Sequence, residues 1–304
     1  MISIVVSYLY RYVDMTLTKY LYLSSINMHK GTIYILLSTL LFFVAQLMVK
    51  TIPTIPAVEI VLFRALTSFI LCSYFIHQRK LHYFGHHKRD LILRGVFGTL
   101  GLLTFFYSLQ HLPLATASTL IQLNPIFVIL FAIVLVGEKP NPKQWIYFFM
   151  AFLGIVLLRM GTLEINIKDF CIGASSAVFA GVAHNFIRRL KNKEDPQTII
   201  LYLALVAIPF FGPLTYFQWV PPTTYQWTIL IGIGLITQLA QVYLTKAYIA
   251  SQASHIVHFT YIGVILSVIF GWLLFDETVT TLTLASIALI IFCIFMIHKN
   301  KHAT

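Results

Sequence analysis

The chain of 304 residues is 59% hydrophobic and only 10% charged, and its formal net charge is +11. Soluble domains average about 45–50% apolar and about 25% charged residues, so this composition excludes a water-soluble fold and indicates a lipid bilayer as the solvent. The basic residues lie in short segments between apolar runs, which indicates membrane orientation rather than nucleic-acid binding.

The first 27 residues differ from the rest because Arg11, Asp14 and Lys19 interrupt an otherwise apolar, tyrosine-rich sequence. No clear cleavage site for a signal peptide follows them. Residues 1–27 are therefore read as an N-terminal extension. It either lies at the membrane interface or precedes a natural start at Met28, and we favour the second interpretation.

About ten apolar stretches follow, each close to the length of roughly 20 residues that an α-helix needs to cross a bilayer. The sequence thus predicts an all-α integral membrane protein of about ten transmembrane helices. Numbered as spans 1 to 10, the stretches cover residues 32–49, 57–76, 91–110, 114–136, 144–160, 170–187, 198–217, 227–247, 253–274 and 280–297.

The connections between the spans alternate in charge. Most lysines and arginines lie after spans 2, 4 and 6 and at the C-terminus, whereas the other connections hold few. Because basic loops stay on the cytoplasmic side, both termini are predicted to be cytoplasmic in a multi-pass protein of the inner (plasma) membrane.

Ten spans divide into two halves of five, residues 28–163 and 164–304. Since five is odd, the two halves must lie in opposite orientations, as in transporters built from inverted repeats. An internal similarity supports this division, because residues 98–118 align without gaps on residues 234–254 and match Tyr107 with Tyr243.

Arg64 lies deep in span 2, roughly 12 Å from the start of the helix. A charge at that depth costs at least about 2.5–3.5 kcal/mol, so the side chain should face the bundle interior or a watery cavity. It either attracts an anionic group such as a carboxylate or binds backbone carbonyls of neighbouring helices. Glu59, on another side of the same helix, is expected at the membrane interface.

Asn124 and Pro125 predict a break in the middle of span 4, because proline removes a backbone donor and frees the carbonyl of Ile121. A break at that depth is tolerated where it lines protein or a cavity. Gln122 and Asn124 add polar groups at the same level, so the segment is either a cavity wall or a plain packing kink.

Spans 6, 8 and 9 also carry amide, histidine and tyrosine side chains. Such groups are costly against lipid and should point inward, either to a cavity or to partners in the helix core. Together with spans 2 and 4 they give the predicted substrate-binding residues, which are Arg64, Gln122, Asn124, His184, Gln238, Gln241, His258 and Tyr261.

The sequence contains no enzyme signature that we recognise. Cys72, Cys171 and Cys293 lie inside apolar runs and show no metal-binding spacing. No catalytic residue, metal ligand or cofactor is therefore predicted. No carboxylate lies clearly at mid-membrane, which leaves exchange and facilitated diffusion open beside proton coupling.

The chain resembles the EamA-type carriers of the drug/metabolite transporter superfamily over roughly residues 30–298. The features that carry the resemblance are Glu59 and Arg64 in span 2, the link Leu112-Pro113-Leu114-Ala115, Pro125 followed by Glu138, and the stretch from Gly271 to Glu277.

This resemblance implies two inverted five-helix repeats around a central cavity, formed by spans 1, 3, 4, 6, 8 and 9, and alternating access. Span 9 departs from the pattern because it lacks a proline matching Pro125. Members of the superfamily carry amino acids, nucleotide-like metabolites, S-adenosylmethionine and drugs. We therefore expect a secondary transporter of a small polar or amphipathic metabolite, with the bilayer and that metabolite as partners. The alternative is a non-transporting membrane protein, such as a lipid-modification partner or an assembly subunit.

Overall fold

The computed structural model describes residues 30–135, 142–162, 164–250 and 257–299. Of residues 142–144, 257, 258, 298 and 299 it describes the backbone alone. The predicted extension 1–27, the start of span 9 at 253–256 and Glu138 lie outside the described residues.

The described ranges contain eleven α-helices and one 3-10 turn, Val257–Thr260. They follow the ten predicted spans, with α4 and α5 forming span 4. In chain order the helices are α1 Lys30–Lys50, α2 Ala57–Gln78, α3 Lys88–His111, α4 Leu114–Ile121, α5 Asn124–Leu135, α6 Pro142–Met160, α7 Ile167–Leu190, α8 Pro196–Phe217, α9 Thr224–Ala250, α10 Tyr261–Phe275 and α11 Thr281–Lys299.

Seven helical segments are long and apolar enough to cross a membrane, and α4 with α5 counts as one of them. Three shorter apolar stretches lie in α6, α10 and α11. Large apolar side chains such as Phe149, Phe152 and Trp272 are exposed on the outside of the bundle, where hydrocarbon rather than water surrounds them. These features confirm the prediction of an all-α membrane protein.

The helix packing follows the two-fold relation of an inverted repeat. In one pair α3 lies along α7, and in the equivalent pair α9 lies along α1. In the same way α3 packs on α8, and its equivalent α9 packs on α2. Two further contacts, α2 with α8 and α6 with α11, each join a helix to the helix at the same place in the other half. Each half therefore packs mainly against the other half, and the centre of the bundle is the interface between the repeats.

One end of the bundle, here termed the opposite end, carries the connections 51–56, 112–113 and 276–280. An ion pair between Lys50 and Glu277 joins the end of α1 to the segment that follows α10. Lys50 also donates to the Leu112 carbonyl at 2.9 Å, and the Leu114 amide donates to Glu277 Oε2 at 2.6 Å. Lys50, Glu277 and the backbone of Leu112 and Leu114 are termed the latch.

Local backbone geometry directs Glu277 into the latch. Asp276 ends α10 in the left-handed conformation, with φ of 51°, and the Glu277 amide donates back to the Gly271 carbonyl at 3.1 Å. This turn brings the glutamate over the helix end. Below the latch, Ser118 donates to Gln46 Oε1 at 2.7 Å, so a second polar layer closes the same end.

The other end, termed the basic end, carries the connections 79–87 and 191–195. Glu194 Oε1 accepts the backbone amides of His86 at 2.6 Å and His87 at 2.7 Å. Gly85 allows this approach, because its φ is 57° and a Cβ there would lie 2.6 Å from Glu194 Oε2. Glu194 with His86 and His87 is termed the brace, since it joins a loop of the first half to a loop of the second.

Glu59 lies in the first turn of α2, and its expected place at the membrane interface stays a prediction. Its side chain is buried near the opposite end, and Oε2 accepts the Val220 amide at 3.3 Å. The carboxylate therefore ties α2 to the segment before α9, a role that depends on a loop far away in sequence.

The predicted break in span 4 is present, and a neighbouring side chain donates to the backbone carbonyl that the break leaves free. Helix α4 ends at Ile121 and α5 begins at Asn124, so Gln122 and Leu123 separate them. Asn124 Nδ2 donates to the Ile121 carbonyl at 2.9 Å, the carbonyl that Pro125 cannot reach.

Span 9 is also irregular, although it has no proline at the matching position. The 3-10 turn Val257–Thr260 precedes α10, and Gln122 Nε2 donates to the Thr260 carbonyl at 2.9 Å. The irregular segments of the two halves thus meet directly at the centre of the bundle.

A candidate substrate cavity between the two halves

A cavity of about 150 Å³ lies where the two irregular segments meet. Helices α1 and α3 of the first half and α7 and α9 of the second surround it. Thr260 and Gly263 complete the wall from span 9, and Leu203 of α8 adds to it. The lining therefore comes from the spans that the family resemblance implied, with one further contribution from span 7.

Most of the surface of the wall is apolar, although ten polar side chains also line the same space. The large apolar side chains of the wall include Phe42, Leu102, Phe105, Phe106 and Leu244. An apolar pocket with a small number of placed polar groups is the usual form of a small-molecule site. The polar side chains of the wall are Ser38, Thr39, Gln46, Arg94, Gln122, Asn124, His184, Gln241, Tyr248 and Thr260.

Arg94 is the positively charged residue of this wall, and its side chain points toward the bundle centre. It lies about 9 Å along α3 from Lys88 and is 3% exposed. A Cβ added to Gly98 would overlap the Arg94 Nη1 position and lie 3.2 Å from Cζ. The guanidinium therefore crosses Gly98, one turn deeper, and a side chain at position 98 would displace it from this position.

Arg94 has no acidic partner among the described residues. Its Nε atom is buried and forms no hydrogen bond, and no described Asp or Glu lines the cavity. Asp90, one turn earlier on α3, pairs instead with Arg189 at 3.3 Å. Arg94 and His184 both line the cavity and no described acidic residue does, so the ionisable acid–base groups of the described wall are basic apart from the Tyr248 phenol.

His184 and Tyr248 form the wall toward the basic end. The tyrosine hydroxyl lies 3.4 Å from His184 Nδ1, and the ring centroids are 4.9 Å apart. The pair joins α7 to α9 and offers an imidazole and a phenol to the cavity.

The EamA-like transporter family matches the chain twice, over residues 29–160 and again over residues 168–298. The protein belongs to the EamA-like transporter family. This result confirms the resemblance inferred from the sequence motifs.

Three characterised or named relatives extend the comparison. The chain is 31% identical over 274 residues to the pseudopaline exporter CntI of Pseudomonas aeruginosa, covering 89% of this chain and 96% of that protein. It is 27% identical over 195 residues to a riboflavin transporter of Vibrio cholerae, covering 63% and 64% respectively. It is 26% identical over 273 residues to human solute carrier family 35 member G1, covering 82% and 73%.

A solved crystal structure shares the fold. It superposes with a TM-score of 0.63 at 16% sequence identity and covers 90% of this chain and 98% of its own. At this level of identity the similarity shows that the two proteins share a fold.

Of the substrate-binding residues predicted from the sequence, Gln122, Asn124, His184 and Gln241 line the cavity. Two of them also have structural partners, because the amide nitrogens of Gln122 and Asn124 donate to backbone carbonyls across the break. Their position agrees with a cavity wall, and substrate contact by these side chains stays a prediction.

Arg64 lies beside the central cavity rather than in its wall. It lines a separate space of about 10 Å³, and Leu102 and Leu203 line both spaces and separate them. Its Nη2 donates to Gln241 Oε1 at 3.5 Å, the long limit of a hydrogen bond. Arg64 thus reaches the cavity only through Gln241.

Gln238 does not line the cavity. Its Oε1 accepts the Ser68 hydroxyl at 2.6 Å, and its Nε2 donates to Cys72 Sγ at 3.1 Å. Gln238 therefore connects α9 to α2. The buried polar contacts between these two helices, formed by Arg64, Ser68, Cys72, Gln238 and Gln241, are termed the α2–α9 seam.

The two predicted residues of span 9 lie at its irregular start. Tyr261 is buried behind the wall, and its hydroxyl donates to the Gln122 carbonyl at 3.4 Å. The side chain of His258 lies outside the described residues. Substrate contact by either residue stays a prediction.

The reasoning from sequence missed Arg94, the most polar group of the wall. Arg94 lies close to the basic start of span 3, where it resembles an orientation residue. A signal was nevertheless available, because Arg94, Gly98 and Gly101 are spaced i, i+4 and i+7 and share one helix face. An arginine followed one turn later by glycine has room to turn inward.

Proposed function

We propose that this protein is a secondary transporter, and not an enzyme, that moves a small metabolite by alternating access through the central cavity. The observation that carries the proposal is the meeting of two discontinuous spans at a cavity between inverted halves. Transporters commonly place substrate at such breaks, near the midplane and at the repeat interface. The names of the relatives, an exporter of pseudopaline and a transporter of riboflavin, support a small organic molecule as cargo.

The proposed setting is the plasma membrane, the inner membrane in a bacterium, with both termini in the cytoplasm. This orientation puts the basic end, with Arg79, Lys80, Lys191 and Lys193, on the cytoplasmic side. The two repeats would be residues 28–163 and 164–304. The latch then closes the side away from the cytoplasm, and it must open for the cavity to exchange substrate there.

Within this mechanism the predicted residues take different parts. Gln122, Asn124, His184 and Gln241 would contact the substrate, because they line the cavity. Arg64 and Gln238 would act behind Gln241 through the α2–α9 seam. Tyr261 would stabilise the irregular start of span 9 through its contact with the Gln122 carbonyl, and His258 would contact the substrate from the same segment.

Transport can be tested with the purified full-length protein in proteoliposomes. The vesicles are incubated in a soluble metabolite extract of bacterial cells, and their contents are compared with those of empty liposomes by mass spectrometry. We expect at least one compound to enter only with the protein. Equal contents in the two kinds of vesicle would reject transport and favour a lipid-modification partner or an assembly subunit.

A matched pair of variants links transport to the cavity. Ala183→Phe places a ring in the wall, whereas Val134→Phe places the same ring on an outward side chain that is 82% exposed. We expect Ala183→Phe to lose most uptake and Val134→Phe to keep it, with similar size-exclusion profiles. Equal uptake by both variants would place the route elsewhere.

A further inference from the structure

We infer that the cargo of the central cavity is a small organic anion, and that Arg94 binds its carboxylate or phosphate oxygens. The inference rests on the proposed transport function and adds the charge class of the substrate and the residue that recognises it. Three observations carry it: the direction of the Arg94 side chain, its lack of a protein partner, and the charge of the surrounding wall.

The direction of Arg94 is opposite to the ordinary behaviour of a basic residue near a helix end. Lys and Arg side chains in such positions normally extend toward the interface, where water solvates the charge. Arg94 instead crosses Gly98 toward the centre of the bundle, one turn deeper. The sequence provides the space for this direction, since glycine at 98 is the residue that admits the guanidinium.

The lack of a partner makes the charge available to a ligand. Arg94 is 3% exposed, and its buried Nε forms no hydrogen bond in the part of the chain that the structure describes. A buried guanidinium without a counter-ion is unfavourable unless something else neutralises it. A bound carboxylate or phosphate would accept two parallel hydrogen bonds from the planar group, the geometry for which arginine is suited.

The rest of the cavity wall also favours an anionic substrate over a cationic one. The neighbouring charge is Arg64, and none of the described acidic residues lines the space. A substrate of net positive charge would meet repulsion without compensation, so cationic metabolites are disfavoured. The apolar remainder, with Phe42, Phe105 and Phe106, fits the carbon body of a small anion rather than a highly charged polyanion.

Arg64 is a weaker candidate for the same role. Leu102 and Leu203 separate it from the central space, and its Nη2 already donates to Gln241. Of the two arginines, Arg94 is therefore the one whose side chain lines the cavity.

The substrate class can be tested by dividing the bacterial metabolite extract into two fractions on an anion-exchange resin. Proteoliposomes with the full-length protein are incubated in each fraction, and entering compounds are identified by mass spectrometry. We expect uptake from the anionic fraction alone. Pretreatment of that fraction with phosphatase distinguishes the two sources of charge, because it removes uptake of a phosphate ester and spares a carboxylate.

The role of Arg94 is tested on the compound that enters. We expect Arg94→Gln to raise its KM by about tenfold or more, as for loss of a charged hydrogen bond, and Arg94→Lys to recover part of the affinity. Arg159→Gln is the matched control, because Arg159 is a partly buried helix arginine whose Nη1 donates to the Thr162 carbonyl, away from the cavity. Size-exclusion profiles establish that each variant folds.

Each outcome decides one claim. Uptake from the other fraction, whether or not a compound also enters from the anionic one, would overturn the anion inference and leave transport standing. Uptake of an anion with an unchanged KM in Arg94→Gln would overturn the role of Arg94. Uptake from neither fraction would overturn the proposed transport itself.

Discussion

The α2–α9 seam and the central cavity are both polar and both buried, yet Gln238 of the seam and Arg94 of the cavity differ in their hydrogen bonding. In the seam Ser68 and Cys72 provide partners for Gln238, so donors meet acceptors within the protein. The Nε atoms of Arg94 in the cavity wall and of Arg64 in the seam are both buried without a hydrogen-bond partner in the described chain, but only Arg94 of these two lines the cavity. Hydrocarbon cannot supply the missing partner, and a ligand can.

This difference shows how a binding site in a membrane protein can be recognised. Polarity inside a span is a weak indicator, because helices also use polar side chains to hold one another. A polar group that is buried, faces a space and lacks a protein partner is a stronger one. We therefore expect substitutions of side chains that are hydrogen-bonded or ion-paired within the protein to lower the free energy of unfolding. A substitution of Arg94 should instead lower transport.

The largest loss of stability is expected at the latch, a satisfied region that contains charges. Lys50 and Glu277 side chains are 15% and 12% exposed, so Lys50→Met leaves a nearly buried carboxylate without its cation. We expect the free energy of unfolding in detergent to fall by about 3 kcal/mol. The double variant Lys50→Met/Glu277→Gln should recover part of the loss, and a single variant as stable as the wild type would contradict the prediction.

A smaller loss is expected in the seam. Gln238→Leu conserves approximate volume but leaves the buried Ser68 hydroxyl without its acceptor. The free energy of unfolding should fall by about 1–3 kcal/mol. Gln78→Leu, at the exposed end of α2, is the control and should change stability by less than about 0.5 kcal/mol. Equal changes in the free energy of unfolding for the two substitutions would contradict a stabilising role of the Gln238 contacts in the seam.

The sequence was sufficient for features with local causes. Span lengths follow from hydropathy, and the break in span 4 follows from Pro125, which frees the Ile121 carbonyl whatever surrounds it. The inverted arrangement follows from an odd number of spans in each half. The family motifs of the sequence led to the same architecture.

The sequence alone could not predict which neighbouring helix or cavity each buried side chain contacts. Gln238 and Gln241 lie on one face of α9, as their spacing predicts, but one binds α2 and the other reaches the cavity. Which of these occurs depends on the rotation of α9 against its neighbours. The burial of Glu59 depends likewise on the Val220 amide, which is remote in sequence.

The stability of the Arg94→Gln variant in the absence of substrate tests directly whether Arg94 is a structural residue. Because Arg94 has no described counter-ion, removing its charge removes a desolvation cost rather than a satisfied contact. We expect the free energy of unfolding to stay unchanged or rise by about 1 kcal/mol, while transport falls. Thermal unfolding in detergent measures this, and a loss comparable to that of Lys50→Met would show that Arg94 belongs with the satisfied regions.

The smallest effect is expected at the brace, because its His87 side chain is 46% exposed and water competes for that ring, although the Glu194 side chain is only 4% exposed. Burial alone would raise the pKa of Glu194. The His87 and His86 amides and the His87 ring outweigh this and hold the pKa below its ordinary value of 4.5. A carboxylate with a depressed pKa stabilises the folded state fully above pH 4.5, and the contribution is lost as the pH falls through the folded-state pKa.

The brace can be isolated from other carboxylates by comparing the wild type with Glu194→Gln from pH 7 to pH 3. The wild type should be the more stable at pH 7, and the difference in free energy of unfolding should shrink below pH 4.5. A difference that stays constant with pH would mean that the glutamate acts through its shape rather than its charge. Since the Glu194 side chain is less exposed than either side chain of the latch, a smaller effect at the brace would be due to its partners, the exposed His87 ring and neutral backbone amides, rather than to exposure of the carboxylate.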